Sequence, residues 1–446
     1  MSEAVFTAPG TALTDEDEAI ALGVPVQSTL DPLESDFSAR KMKVSSAIAL
    51  GTMFGSTVLP FTAQAQLLLP MTAEFHWSRT AFSFGLSAMM LGGMISAPIF
   101  GRMIDKLGVR PILISGSVIV GLLTLLLAFQ HGTMAEYLLG YAVLGGVGST
   151  AMGYQKVLGA LFNQHRGKAM AILGVESSLS VAVVMPIITW LLTSYGWRGC
   201  YIGMGLIILA TVPVQLIWLS EPDQPIAHLA GGTPGGSAMP GMSTGEALRD
   251  RVFWMVTLAG FAAIIPAMGL MQHMIPYLLS KGFPLETASW RLTVMSAAMA
   301  LGTVVGGWML DKSDSPRIGV PFAAMATVAQ LGLLFLSPTA FGSALLVGSM
   351  VLMGFAAGAK RPMATFFQLR FFGLRDFAGI VGVQSPITAF GMLIAPPLTG
   401  YCYDRWHSYV PALWAMVALM GVTIVLYMSL GKYRYARDLQ PVAPGG

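Results

Sequence analysis

Five ionisable side chains sit inside stretches that are otherwise apolar: Lys156, Glu176, His273, Lys360 and Arg361. Inside a bilayer such a charge costs roughly 2.5–3.5 kcal/mol on insertion scales, so it usually faces a cavity or a partner. The three cations suit an anion, because a carboxylate that leaves water needs a cation or hydrogen-bond donors in exchange. Arg361 can hold a carboxylate through two parallel N–H bonds. Adjacent helical residues point about 100° apart, so Lys360 and Arg361 cannot both face one solute equally, and one of them could instead pair with backbone or a neighbour. Lys156 lies near the end of its stretch and could reach the interface along its own stem. Glu176 fits either a proton carrier or a partner for Lys156. The His273 imidazole can exchange a proton near neutrality, or serve as a hydrogen-bonded packing residue. Tyr154, Gln272 and Gln384 are neutral candidates for lining the same cavity, with ordinary helix packing the plainer reading of each.

The elements that carry these residues follow from hydropathy. Apolar stretches recur at 44–70, 81–103, 111–130, 134–160, 168–193 and 198–219, and again at 252–280, 287–311, 318–338, 341–368, 377–402 and 407–430. Each is long enough to cross a ~30 Å hydrocarbon core at 1.5 Å per residue. The spacing predicts an all-α membrane protein of twelve transmembrane helices in two six-helix bundles, 44–219 and 252–430. The flanking segments read as a disordered tail at 1–43, a linker at 220–251 rich in Pro, Gly and charge, and a short tail at 431–446. Of the 446 residues 54% are hydrophobic and 11% charged, against about 25% charged in soluble domains. The net charge of +3 comes from scattered clusters, which argues against nucleic-acid binding. Two cysteines give neither a disulfide framework nor a metal site.

Basic residues set an orientation, since Lys and Arg stay preferentially on the cytoplasmic side. With both termini inside, clusters such as Arg40-Lys41-Lys43, Arg102-Lys106-Arg110, Arg166-Lys168, Arg249-Arg251 and Lys432-Arg434-Arg437 fall in the cytoplasm. Only Arg79, Arg198, Lys281, Arg291 and Arg405 fall outside. The topology is therefore N-in and C-in, in a bacterial inner membrane. The halves also repeat. Gly101-Arg-Met-Ile-Asp105-Lys106 is matched by Gly307-Trp-Met-Leu-Asp311-Lys312 at an offset of 206, and Gly174-Val-Glu176-Ser177 by Gly382-Val-Gln384-Ser385 at 208. Parallel repeats of this kind are a mark of transporters.

The run Gly101-Arg-Met-Ile-Asp105-Lys106-Leu-Gly108-Val-Arg110 resembles the loop between the second and third helices of the major facilitator superfamily. The resemblance covers nearly the whole chain. It implies that Gly101, Asp105, Lys106, Arg110 and the repeat mate Asp311 belong to a cytoplasmic charge network that gates the outward-open state. Phe75-His-Trp77-Ser78-Arg79-Thr80, the run from Phe162 to Gly174, Trp197-Arg198 and His273-Met-Ile-Pro276 are similar to the bacterial monocarboxylate and oxalate–formate porter branch. The animal carriers of that group use a lysine in the first helix and an acid–arginine pair in the eighth. Here the first stretch offers only Gln64 and Gln66, and Gly302-Thr-Val-Val-Gly306-Gly307 has no ionisable group.

These features favour a proton-coupled symporter for a small organic anion, a carboxylate, acting as a monomer by alternating access. Efflux of drug-like compounds is the alternative, although Pro186 is followed by Ile-Ile-Thr-Trp190 in place of the Gly-Pro-x-x-Gly-Gly element usual in antiporters of the superfamily. A non-transporting sensor would need a signalling domain beyond these short tails. No Ser/His/Asp arrangement, metal-spaced His/Glu cluster or nucleotide-cradling glycine loop is present, so neither an enzyme nor a cofactor or metal is expected.

Overall fold

The computed structural model describes residues 39–54, 57–154, 157, 166–219, 241–313, 315–373 and 375–435, without the side chains of 39–42, 166–179, Asp105, Asp311, Arg361 and Ala378. Most of the expected tails and the linker residues 220–240 lie outside the described residues. Among the described residues every regular element is helical. In the first half these are α1 (Ala39–Met53), α2 (Val58–Phe75), α3 (Arg79–Leu107), α4 (Val109–Leu126), α5 (Met134–Gly148) and α6 (Arg166–Trp218). A short α7 (Thr244–Arg249) precedes α8 (Arg251–Ser280), α9 (Leu285–Lys312), α10 (Gly319–Leu334), α11 (Ala340–Phe372), α12 (Phe377–Trp406) and α13 (Val410–Met428).

Among the described residues ten helices are long and apolar enough to cross a membrane. Two features account for the difference from the expected twelve. In the fourth stretch, α5 is 15 residues and passes into a 3₁₀ turn at Ser149–Ala151, and most of 155–165 lies outside the described residues. The fifth and sixth run on in α6 with a non-helical kink at Gly196, in the gap between them, whose φ of 66° is a left-handed value that glycine adopts without a Cβ clash. The expected linker also contains structure, because Ser243 and Glu246 cap α7 reciprocally.

Local chemistry fixes the helix ends. Ser78, Thr133, Asp250 and Thr339 accept backbone N–H groups in the first turns of α3, α5, α8 and α11. Gly108, with φ of 89°, turns the chain between α3 and α4 without an intervening loop. The halves use the same packing device. A Cβ on Gly92 would meet the Ala142 carbonyl and one on Gly145 the Met89 carbonyl, so α3 and α5 approach backbone to backbone. Gly302 and Gly354 do the same between α9 and α11, against Phe355 and Met295. Small residues permit such contact, which substitutes for the hydrophobic drive that lipid removes.

The halves meet along α2–α8, α3–α12 and α6–α9. At the end bearing the connections around 76–78, 131–133, 281–284 and 407–409, here the far end, one apolar cluster crosses the seam: Ala65, Val181 and Met185 pack with Met274, Tyr277 and Leu278. At the opposite, linker end the clusters are separate, one around Ile48, Ile104 and Tyr154 in the first half and one around Phe253, Phe367 and Tyr427 in the second.

Candidate functional site

The polar groups along the seam follow the same division. Asp404, near the end of α12, accepts from the backbone N–H groups of Arg79 and Thr80 at 3.1 and 2.8 Å and from the Thr80 hydroxyl. It thus places a carboxylate on the N-terminus of α3, where unpaired N–H groups and the helix dipole favour negative charge. α12 can come this close because a Cβ on Gly400 would collide with the Arg79 backbone. The Arg79 guanidinium lies 3.4 Å from the Tyr403 ring centroid and donates to the Tyr409 hydroxyl.

His273 stands at the centre of this seal and is buried. Its Nε2 lies 3.0 Å from both the Pro396 carbonyl and the Ser83 hydroxyl, and its Nδ1 3.1 Å from the Tyr409 hydroxyl. A carbonyl can only accept, and the Ser83 proton is directed to the Arg79 carbonyl at 2.7 Å. The tautomer assigned from these partners therefore carries its proton on Nε2 and accepts from Tyr409 at Nδ1. A relay Arg79–Tyr409–His273 results, spanning both halves. Deeper in the seam Gln272 donates to Gln64 at 3.4 Å, and Gln64 bonds Tyr137 at 3.2 Å. Ser87 donates to the Leu393 carbonyl, and Thr189 joins Gln66 to Ser289. Thr293 of α9 also donates across the seam to the Ala182 carbonyl of α6, at 3.4 Å.

Other sequence candidates lie within one half. Tyr154 bonds Gln215 and Ser117 in the first, and Gln384 bonds Gln368 and Thr257 in the second. At the linker end Arg110 reaches the Leu216 carbonyl at 2.6 Å, Lys106 is exposed, and a Cβ on Gly101 would meet Met152 at ordinary contact distance. Lys156 and the side chains of Glu176, Asp105, Asp311 and Arg361 lie outside the described residues. On the same side Asp376 accepts from the hydroxyl and the N–H of Thr244, tying α7 to the start of α12. The Thr244 hydroxyl holds the Asp376 carboxyl below its usual range, and the Ser243 N–H does the same for Glu246.

Lys360 is the outlier. Its Nζ is buried and has no hydrogen-bond partner among the described residues, and the same is true of Gln330 Oε1. Both line one cavity of about 60 Å³ between α8, α10, α11 and α13, walled by Pro266, Phe322, Met353, Met363 and several alanines. That volume admits roughly four water molecules at ~15 Å³ each. A buried ammonium without a counter-charge is costly, so the site calls for an acceptor.

The sequence model of the Major Facilitator Superfamily matches residues 44–369. The chain belongs to this superfamily. Among similar major facilitator proteins, monocarboxylate transporter 13 of Rattus norvegicus is 27% identical over 375 residues, covering 82% of this chain and 81% of that protein. An uncharacterized MFS-type transporter of Bacillus subtilis is 22% identical over 368 residues, covering 80% and 88%. Two solved facilitator structures share the fold. A bacterial homologue of the human lysosomal transporter Spinster, inward-facing and unoccupied, has a TM-score of 0.64 at 17% identity, covering 87% of this chain and 96% of that one. A D-xylose–proton symporter has a TM-score of 0.66 at 15% identity, covering 87% and 97%. Transport of a small molecule across a membrane is the chain's function class.

Sequence reasoning missed the seal. Arg79 and Thr80 entered only as part of a motif, while Asp404 and Tyr409 were not singled out. The available signal was an acid, Asp404, ending one stretch on the same side as Arg79, which opens another directly after the capping residue Ser78.

Proposed function

We propose that this facilitator takes up a small organic anion, a carboxylate, together with protons, by alternating exposure of one site between the two halves. The observation that carries this reading is the buried, unpartnered Lys360 ammonium in a cavity of the second half, shared with Gln330, Thr423 and Tyr427 and otherwise walled by methyl, thioether and aromatic groups. A carboxylate on a short apolar body satisfies both parts of that lining. Relatives that are monocarboxylate transporters support the same substrate class. Arg361, one position on, is the second anion ligand, and Gln272 lines the path to it. Glu176 and His273 are the proton-bearing groups. Tyr154, Gln384 and Lys156 support these ligands, and Gly101, Asp105, Lys106, Arg110 and Asp311 gate the linker end. In this reading the linker lies in the cytoplasm of a bacterial cell, twelve spans cross the inner membrane, and the working unit is a monomer. A sealed far end and parted apolar clusters at the linker end then correspond to an inward-facing state.

The test is uptake of radiolabelled mono-, di- and aromatic carboxylates into proteoliposomes, with and without an inward proton gradient. Native protein should accumulate at least one acid under the gradient. Lys360→Met should lower that uptake by about 100-fold, the effect of ~3 kcal/mol lost from a buried charge pair. Gradient-independent traffic, or full uptake in both Lys360→Met and Arg361→Ala, would refute the reading.

A further inference from the structure

A second crevice opens on the flank of the protein where α6 meets α9, at the far end of the seam. It has a volume of about 200 Å³ and is lined by Pro186, Thr189, Trp190, Thr193, Glu286, Ser289 and Trp290. Its chemistry is one-sided, with one carboxylate, three hydroxyls, two indoles and no cation. Glu286 is exposed and has no hydrogen-bond or ion-pair partner among the described residues. Trp190 is 57% and Trp290 61% exposed, so each leaves much of its surface open to a ligand. A carboxylate beside two indoles attracts a cation twice, by charge and through the ring quadrupoles. The hydroxyl and carboxylate oxygens accept N–H bonds, which favours a primary over a quaternary ammonium.

The setting identifies the carrier of that ammonium. Glu286 lies in the first turn of α9, and Trp190 lies six residues before the break at Gly196. Both therefore sit where helices leave the hydrocarbon, the depth at which tryptophan gathers at membrane interfaces. The volume is below the roughly 300–1,000 Å³ of pockets for drug-sized ligands, so it suits a headgroup whose acyl chains stay in the bilayer. We propose that this crevice binds the ethanolamine headgroup of a phospholipid from the leaflet at the far end. Its walls come from both halves, and the Thr189–Ser289 hydrogen bond, 2.8 Å, forms its floor. The lipid therefore binds only when the far end is closed, and by linkage it favours closure.

The experiment is native mass spectrometry of the full chain in detergent with equimolar phosphatidylethanolamine, phosphatidylcholine and phosphatidylglycerol, for native protein, Glu286→Gln and Trp290→Leu, with melting temperature as the check on folding. Native protein should retain the ethanolamine lipid at least fivefold over either competitor. Glu286→Gln should lose that preference at an unchanged melting temperature, and Trp290→Leu should reduce it. Equal retention of phosphatidylglycerol, or an undiminished preference in Glu286→Gln, would overturn the assignment. Displacement of the lipid by millimolar free ethanolamine would show a site for soluble ammonium compounds and equally overturn it. The companion readout is hydrogen exchange in 79–87, which should slow in vesicles containing the ethanolamine lipid and stay equal across lipids in Glu286→Gln.

Discussion

The two ends of the seam between the halves are built from different materials. At the far end a carboxylate caps the opposite half's helix, an arginine lies on a tyrosine ring, a histidine is held by three partners, and one apolar cluster runs through. At the linker end, among the described residues, each half keeps its apolar cluster to itself, and the polar bonds, Arg110 to Leu216 and Asp376 to Thr244, stay within a half. To its shared apolar cluster the far end adds a few charge-assisted hydrogen bonds, each contributing about 1.5–3 kcal/mol, enough to tilt two states that differ by a few kcal/mol.

The sharpest way to break the contrast is Asp404→Ala, which leaves the Arg79 and Thr80 N–H groups and the Thr80 hydroxyl without their acceptor. Far-end opening should become about 10- to 100-fold more populated, measured as faster alkylation of a cysteine placed at Ser83. Next is His273. Protonation would turn Nδ1 into a donor facing Tyr409, whose oxygen already receives Arg79, and would add a positive charge beside Arg79 with only Asp404 near enough to offset it. Acid at the far face should therefore favour opening, and His273→Gln should flatten that response to within a few-fold while leaving closure possible. A smaller effect is expected for Thr189→Val, which removes the hydroxyl link from Gln66 to Ser289. It should raise hydrogen exchange around 185–189 by roughly five- to tenfold, the measure of about 1 kcal/mol.

The linker end offers the weakest effect and a control. The Asp376 carboxyl titrates below its unfolded value of 3.8 because Thr244 donates to it. A depressed folded value means that the contribution is present above the unfolded value and lost as pH falls through the folded one. Exchange protection of 243–249 should hold from neutral pH down to about 4 and fall only below that. Far-end opening should respond to pH in a higher range, so the two ends titrate separately.

Much of the architecture could be read from the residues. The repeat reappears as matched glycine contacts, Gly92 and Gly145 in one half and Gly302 and Gly354 in the other, at the nearby offsets of 210 and 209. The kink at Gly196 falls in the gap between the fifth and sixth apolar stretches, whereas the 3₁₀ turn at Ser149–Ala151 lies inside the fourth and is a local backbone choice with no hydropathic mark. The candidate ligands were legible as residue types but not as neighbours. Lys360 was grouped with Arg361 by sequence, yet the structure places its Nζ among α8, α10, α11 and α13 of the second half. His273 was singled out as an isolated titratable group, and its partners Ser83, Pro396 and Tyr409 come from two other helices and a helix cap. Such convergence depends on how the halves dock, which no single stretch encodes.

The most direct test is a paired distance measurement on spin-labelled protein in vesicles, with Cys200 and Cys402 replaced by serine. One pair joins His131→Cys to His407→Cys at the far end, and the other joins Leu107→Cys to Ser315→Cys at the linker end. Without substrate the far-end pair should give one narrow, short distribution and the linker-end pair a longer one. Adding Asp404→Ala should lengthen the first and shorten the second together. If both distances lengthen, or neither moves while carboxylate uptake persists, the two ends are not alternatives and the seal at Asp404 does not govern the exchange.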